Sequence, residues 1–425
     1  MGIHFKSFER NVEDSLITRE FNNGIYSNSY VSKIKPFAFK DADINELYLD
    51  GMTEATRQNF TGLNNVKSIH LANCTFISDS TFQGCSKLVS LVAPNVSDIR
   101  QGAFQNCTNL SDLKIGTLTS IGMYTFGSCQ NLKSIDISHL ETIPSSAFYG
   151  CSALTDVSFS TIKSIGTYAF ACCSSGSLTG LVLDAPELIH LDSSAFYYNR
   201  LLTSIHCSKL ENVPYYAFSD CTNLRYIKME SCTNIESAGF AMCFSYSYTS
   251  SILERDGYAE FPEVLSISYR AFAYCNGLKT FIAPKLKFIG ERVFEYNSAL
   301  TELSIDAVES IEYGAFYYCT GLQSINLPNI KTLKSQAFNY CSNMSIAKLT
   351  GIETMYGNAF DGCSRLKELH ISGISSVPST GGYSISFGWG WSSLFEHLYI
   401  PSSLVTDFQN DSYWSVLSSY ISGIY

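Results

Sequence analysis

A phenylalanine returns every 22 residues through most of this chain, and a period of that kind decides the architecture before any local propensity does. Phe82, Phe104, Phe126, Phe148 and Phe170 stand 22 apart, and the series resumes through Phe196, Phe218 and Phe240, then Phe272, Phe294, Phe316, Phe338 and Phe360. Only two steps differ, 26 before Phe196 and 32 before Phe272, which are insertions of 4 and 10 residues. Looser copies reach back to Phe60 and Phe39 and forward to Trp389, giving about sixteen units. An array grows by adding units around no single core, so the 425 residues are expected to form one continuous domain rather than several.

Within a unit, Leu132, Ile135 and Ile137 alternate with Ser134 and Asp136, the period-2 pattern of a short strand with one buried face. Ile121, Phe126 and Cys129 precede it and predict a turn or single helical turn packed behind the strand. One unit buries too little apolar surface to offset its chain entropy, whereas stacked neighbours share a spine of Phe, Ile, Leu and Cys.

The fifteen cysteines would suggest a disulfide framework in a short secreted chain. Here Cys85, Cys107, Cys129, Cys151, Cys173, Cys221, Cys243, Cys275, Cys319, Cys341 and Cys363 all fall three residues after the marker aromatic, where two units carry Asn199 and Asn297 instead. A column that accepts Cys or Asn asks for a small buried side chain with hydrogen-bonding ability, and predicts a ladder of free thiols. Cys74, Cys172, Cys207 and Cys232 lie outside the column and are left open as disulfide partners. No paired Cys-x-x-Cys accompanies a matching His or Cys pair, so no metal site and no cofactor is expected.

Leu322 to Ile330 reads Leu-Gln-Ser-Ile-Asn-Leu-Pro-Asn-Ile, and Ile165-Gly166-Thr167-Tyr168-Ala169-Phe170 follows the same scheme. These stretches resemble the BspA-like, or treponemal-type, leucine-rich repeats over roughly residues 34–400. Cys107 precedes Leu110 here, where the general leucine-rich pattern puts Asn or Cys after the strand, and that departure marks the subtype. The fold expected is therefore a leucine-rich-repeat solenoid, a right-handed superhelix with one parallel sheet of short strands, each unit completed by a turn or short helix. Residues 1–33 are expected to be an N-terminal cap or attachment segment, 34–402 the solenoid and 403–425 a C-terminal cap, with Leu404, Phe408, Trp414, Leu417 and Ile421 forming an amphipathic lid. Leu398-Tyr399-Ile400-Pro401 and the Trp-containing stretch after it resemble the closing segment of such proteins from gut bacteria and their phages. The resemblance implies a surface protein that binds host proteins or other cells, with no catalytic residues to carry over.

Chemistry is sparse: no Gly-x-Ser-x-Gly elbow, no Gly-x-x-x-x-Gly-Lys loop and no His-Glu-x-x-His occurs, so an enzyme is not expected. His70, His206 and His370 share one outward strand column but lie several units apart, on the order of 30 Å at one strand spacing per unit, and so share neither a metal nor a proton. A net charge of −10 argues against nucleic acid or an anionic membrane as partner. No run of 18 apolar residues suggests membrane insertion, and Met1 to Glu20 lacks the apolar stretch of a secretory signal. Cell-surface, secreted or virion-associated placement is the expectation.

Three surfaces are candidates for recognition. The outward strand column runs His70, Val92, Lys114, Asp136, Ser158, Val182, His206, Lys228, Glu260, Ile282, Ser304, Asn326, Lys348, His370 and Tyr399, a chemical mixture suited to reading a partner and equally open to drift on a solvated face. Tyr274, Tyr296, Tyr318 and Tyr340 recur two residues after the marker in consecutive units, with Tyr198 matching earlier and Tyr197 and Tyr317 adjacent. They predict a tyrosine ladder that either offers amphipathic contact area or packs on itself. The insertion Phe244 to Thr249, with Tyr246 and Tyr248, and the segment Gly381 to Trp391 are the third. The leading expectation is a non-catalytic, adhesin-like or receptor-binding protein taking a protein or glycan ligand through Tyr198, Tyr274, Tyr296, Tyr318, Tyr340, Tyr246, Tyr248, His206 and Lys228. The alternatives are a phage virion or tail-associated component and a structural spacer with no ligand.

Overall fold

The computed structural model describes residues 24–29, 31–32, 44–56, 60, 63, 65–174, 180–245, 257–386 and 394–423. The chain divides into two compact units, 1–202 and 203–425, and each is a parallel-strand solenoid.

In the first unit the strands Ile25–Ser27, Glu46–Tyr48, Ser68–His70, Ser90–Ala93 and Asp112–Ile115 lie side by side in sequence order. The register advances by one repeat per turn, Leu47 beside Ile69, Leu91 and Leu113. In the second, Tyr226–Met229, Tyr258–Glu260, Thr280–Ile282 and Glu302–Ser304 pair in the same way, and so do Ser324–Leu327, Ile346–Thr350, Glu368–Ser372, His397–Ile400 and Ile421–Gly423. Alternation buries one face, as where Ile325 and Leu327 are covered while Ser324 and Asn326 are exposed. Stretches of the outward column read from the sequence are physical rows within each unit: His70 pairs with Val92 and Val92 with Lys114 in the first, and His206 with Lys228 and Lys228 with Glu260 in the second.

A second parallel ladder, not apparent from the alternation, is built from two-residue strands. Glu54–Ala55, Phe76–Ile77, Asp98–Ile99 and Ser120–Ile121 pair in the first unit, and a series from Asn212–Val213 to Thr354–Met355 in the second. Gly166 stands between this ladder and the marker turn, where an added Cβ would come within 2.7 Å of the Ser145 backbone nitrogen; only glycine fits against the preceding turn there.

The turn carrying the marker phenylalanine is not helical. It bends through two left-handed positions, two residues before and two after the phenylalanine, at Tyr124 and Ser128, for example, with φ of 55° and 61°. Behind it the phenylalanines form a stacked spine. Ring centroids from Phe60 to Phe196 are 4.8–5.5 Å apart, and those from Phe218 to Phe360 are 4.9–5.6 Å apart. Each such pair is worth about 0.5–1.5 kcal/mol beyond the area it buries.

The Cys/Asn column has one geometric job. Ten of its cysteines donate to the backbone carbonyl of the preceding marker phenylalanine, among them Cys107 Sγ to Phe82 at 3.0 Å, Cys151 to Phe126 at 3.0 Å and Cys319 to Phe294 at 3.0 Å. Asn199 and Asn297 do the same through Nδ2, to Phe170 at 2.8 Å and Phe272 at 3.0 Å. The fifteen cysteines are free thiols, all buried except Cys172. Cys74 and Cys232, outside the column, donate to the carbonyls of Phe76 and Asn234.

The only α-helix among the described residues is Val405–Asn410, flanked by 3-10 turns at Ser402–Leu404 and Ser415–Tyr420. Leu404, Phe408, Trp414 and Leu417 are buried, and the Trp414 indole donates to the Pro378 carbonyl at 2.9 Å.

Candidate functional site

The four consecutive tyrosines are brought together in the second unit. Tyr274, Tyr296, Tyr318 and Tyr340 stack face to face at 5.0, 5.1 and 4.6 Å, with ring planes within 22° of parallel. Tyr317 braces the row edge-on against Tyr296, Tyr318 and Tyr340. Each backbone N–H of the row donates to a carbonyl of the next turn, Tyr274 to Glu295 at 2.8 Å and Tyr296 to Tyr317 at 2.7 Å, which sets the spacing of one ring per turn.

The backbone of this row is left-handed, with φ of 61°, 62°, 59° and 58°. Elsewhere the same column holds Gly84, Asn106, Gly150, Asp220 and Gly362, residue types that reach that conformation more cheaply, alongside Ser128, Cys172, Tyr198 and Met242, which do not. Four left-handed tyrosines are disfavoured by about 1–2 kcal/mol each, and three stacks return about 0.5–1.5 kcal/mol each, so the stack does no more than offset the backbone. Gly362 ends the row: its α-carbon lies against the Tyr340 ring, with no room for a side chain. None of the four hydroxyls has a hydrogen-bond partner among the described residues. Tyr340 is exposed and the other three are half-buried. Burial and the nearby Glu295 carboxylate push the Tyr274 phenol up.

Beneath the row lies a buried carboxylate that the sequence did not single out. Glu295 is 2% exposed and is held by two arginines, Arg270 Nε at 3.2 Å and Arg292 Nη1 at 3.0 Å. Both arginines also lie over tyrosines, Tyr269 and Tyr313. A paired, nearly dry carboxylate of this kind fixes its partners because leaving either charge alone is expensive. No column signal marks Glu295, since Ala273, Tyr317 and Asn339 occupy the equivalent places.

The remaining sequence candidates are dispersed. Tyr198, φ 56°, belongs to the first unit, where the Arg200 guanidinium lies 4.3 Å from its ring centre. His206 and Lys228 are neighbours on the sheet face and share Glu230, at 3.0 and 3.8 Å. Tyr246 and Tyr248 lie outside the described residues, as do Phe387, Trp389 and Trp391. His70 stacks on Tyr48 at 4.1 Å, and His370 stacks on Tyr399 at 4.3 Å while meeting Glu368 at 3.0 Å. Each histidine thus has its own neighbours, and among the described residues no group of three His, Cys, Asp or Glu is placed to hold a metal.

Two further features escaped sequence reading. Tyr226 and Tyr258 stack on the sheet face at 5.5 Å, although they sit at a different strand position from the ladder. An open polar groove of about 560 Å³ is lined by Gln323, Asn343, Ser345, Arg365, Lys367 and Leu394. Its cations are engaged, Arg365 with Asn343 and Lys367 with Glu396. No helix among the described residues is long and apolar enough to cross a membrane.

No curated protein matches the chain. Among solved structures, similarity is found to a leucine-rich cell surface protein from Faecalibacterium prausnitzii, 18% identical over 81% of this chain and 94% of that one, TM-score 0.41. A leucine-rich repeat protein from Bacteroides ovatus is 22% identical over 70% and 82%, TM-score 0.38. The pneumococcal vaccine antigen PcpA is 19% identical over 94% and 91%, TM-score 0.36. The profile described as "BspA type Leucine rich repeat region (6 copies)" matches residues 19–111, 75–183, 119–247, 258–367 and 287–413. Those matches cover most of the chain and coincide with the turns that carry the phenylalanine spine and the Cys/Asn column, and the chain belongs to the BspA-type leucine-rich repeat family.

Proposed function

We propose that this chain is a non-catalytic recognition protein that binds a protein or glycan ligand through its repeat surface, with the tyrosine row of the second unit as the contact. The observation that carries this reading is the placement of Tyr274, Tyr296, Tyr318 and Tyr340 in a left-handed column that glycine occupies in other turns. Strain held where an easier residue would serve points to use. Tyrosine suits the task because it offers a large amphipathic surface with little rotamer freedom to lose. His206 and Lys228 are a secondary contact on the sheet face of the same unit. The family's members are often surface adhesins or recognition proteins, which agrees with a cell-surface or secreted role.

The test is a binding screen of the purified chain against matrix proteins, mucin glycans and bacterial surface extracts, with a Tyr274/Tyr296/Tyr318/Tyr340→Ala variant in parallel. Retained binding by the variant places recognition elsewhere, and binding that it loses supports the row. Absence of binding to every probe counts for a spacer and against recognition.

A further inference from the structure

We infer that the tyrosine row takes an extended, neutral β-1,4-linked polysaccharide lying along the repeat direction, one sugar ring to each phenol. This rests on the recognition reading above and adds the chemical class of the ligand. Three observations lead to it.

The first is spacing. Rings at 5.0, 5.1 and 4.6 Å step at the length of one pyranose in a fully extended β-1,4-linked chain. A peptide strand laid along the same line presents same-face groups every ~6.7 Å and falls out of step within two turns. An α-helix climbs about 5.4 Å per turn, but it docks by side chains entering an apolar groove, and stacked rings present only a line of edges.

The second is chemistry. Stacking hides the faces of the inner rings and leaves edges and hydroxyls outward. Each phenol is a donor and acceptor, and none of the four is engaged by a described residue. Successive sugars of such a chain are turned over, so the phenols meet the hydroxyl-bearing edges of alternate sugars in the same orientation, one ring per phenol and in step every second turn, without any apolar pocket. A second copy of this chain fits less well, because four ring edges, three of them half-buried, offer far less than the roughly 800 Å² per partner of a stable interface.

The third is charge. Arg270 and Arg292 are both committed to the buried Glu295, Arg292 also lies 3.7 Å from Glu291, and among the described residues no lysine is stacked on a ring of the row. A neutral polymer therefore fits better than a sulfated or uronic one. Gly362, pressed against Tyr340, ends the row at four rings.

The experiment uses the full chain with cellulose oligosaccharides of two to six units, and with hydroxyethyl cellulose and arabinoxylan in affinity gels. Affinity is expected to rise by about two- to tenfold per added sugar up to four, each unit adding roughly one net hydrogen bond, and to level off beyond. Two variants separate recognition from folding. A Tyr274/Tyr296/Tyr318/Tyr340→Phe chain keeps the stack and removes the hydroxyls, and should lose at least about tenfold in affinity for the tetramer, the combined effect of several lost hydrogen bonds. Tyr296→Gly, at a position whose column accepts glycine, should fold and return the tetramer's affinity toward that of the dimer. Binding indifferent to length or to the four hydroxyls overturns the inference. So does failure to bind any of these glycans, and if the alanine variant then still loses a protein ligand, the recognition reading survives while the glycan assignment falls.

Discussion

The Cys/Asn column shows how much one side chain in a repeat is asked to do. Its donor satisfies a buried carbonyl, and a buried acceptor left without a partner costs about 1–3 kcal/mol. Cys129→Val, similar in volume but without a donor, is expected to lower stability by about that amount, whereas Cys129→Ser should lose less; urea unfolding of the two reads the difference. The asparagines are not equivalent. Asn199 Oδ1 accepts from the Leu201 and Leu202 backbone N–H groups at 3.0 and 3.1 Å, but Asn297 Oδ1 is buried with no partner. Asn297→Cys should therefore stabilise the chain by about 1 kcal/mol and Asn199→Cys destabilise it by at least as much, on ordinary hydrogen-bond magnitudes. Equal effects of the same sign would refute this view of the column.

At the scale of elements, the spine should behave as a one-dimensional stack in which each turn leans on its neighbours. Phe316→Ala removes a ring that stacks on Phe294 and Phe338 at 5.0 and 4.9 Å, and should cost about 3–5 kcal/mol. Hydrogen exchange should show the lost protection concentrated in those turns, with the first unit little changed.

Much at this scale was legible in the sequence. The marker phenylalanine, the thiol column and the outward strand row each repeat one residue type or one alternation per unit, and stacking in register turns such columns into rows. The second ladder was not legible, because a pair such as Ser164–Ile165 has one half-buried and one buried residue and is too short to show a period. The left-handed corners were hidden for a different reason: Gly announces that conformation, whereas Tyr, Arg and Cys at the same positions disguise it. Glu295 was missed because its neighbours in the column are apolar or neutral. The tyrosine ladder was readable as a column, but whether it stacks on itself depends on side-chain packing that spacing does not encode.

For the whole molecule, the buried thiols tie stability to alkaline pH. Burial pushes Cys107, Cys129 and Cys151 in the first unit well above their ordinary value, and does the same to Cys243 and Cys363 in the second, with Cys232 pushed up to about 12. A thiol with a raised folded pKa keeps its proton when folded and loses it when unfolded. Its contribution is complete below the unfolded value of about 8.5 and declines as pH rises above it. Each such thiol then removes about 1.4 kcal/mol of stability per pH unit. Under reducing conditions the melting temperature should be flat from pH 7 to 8 and fall steeply by pH 9.5. A flat profile through pH 9.5 would show that the thiols are accessible to water in the folded chain.

On the reading proposed above, the tyrosine row exists for a ligand and not for the fold. That reading is tested most directly by measuring, on one preparation of the Tyr274/Tyr296/Tyr318/Tyr340→Phe chain, both its urea midpoint and its affinity for the ligand the native chain binds. The expected result is a midpoint close to that of the native chain with affinity reduced at least about tenfold, as loss of several hydrogen bonds requires. A lowered midpoint with affinity unchanged would contradict it and make the row a structural brace.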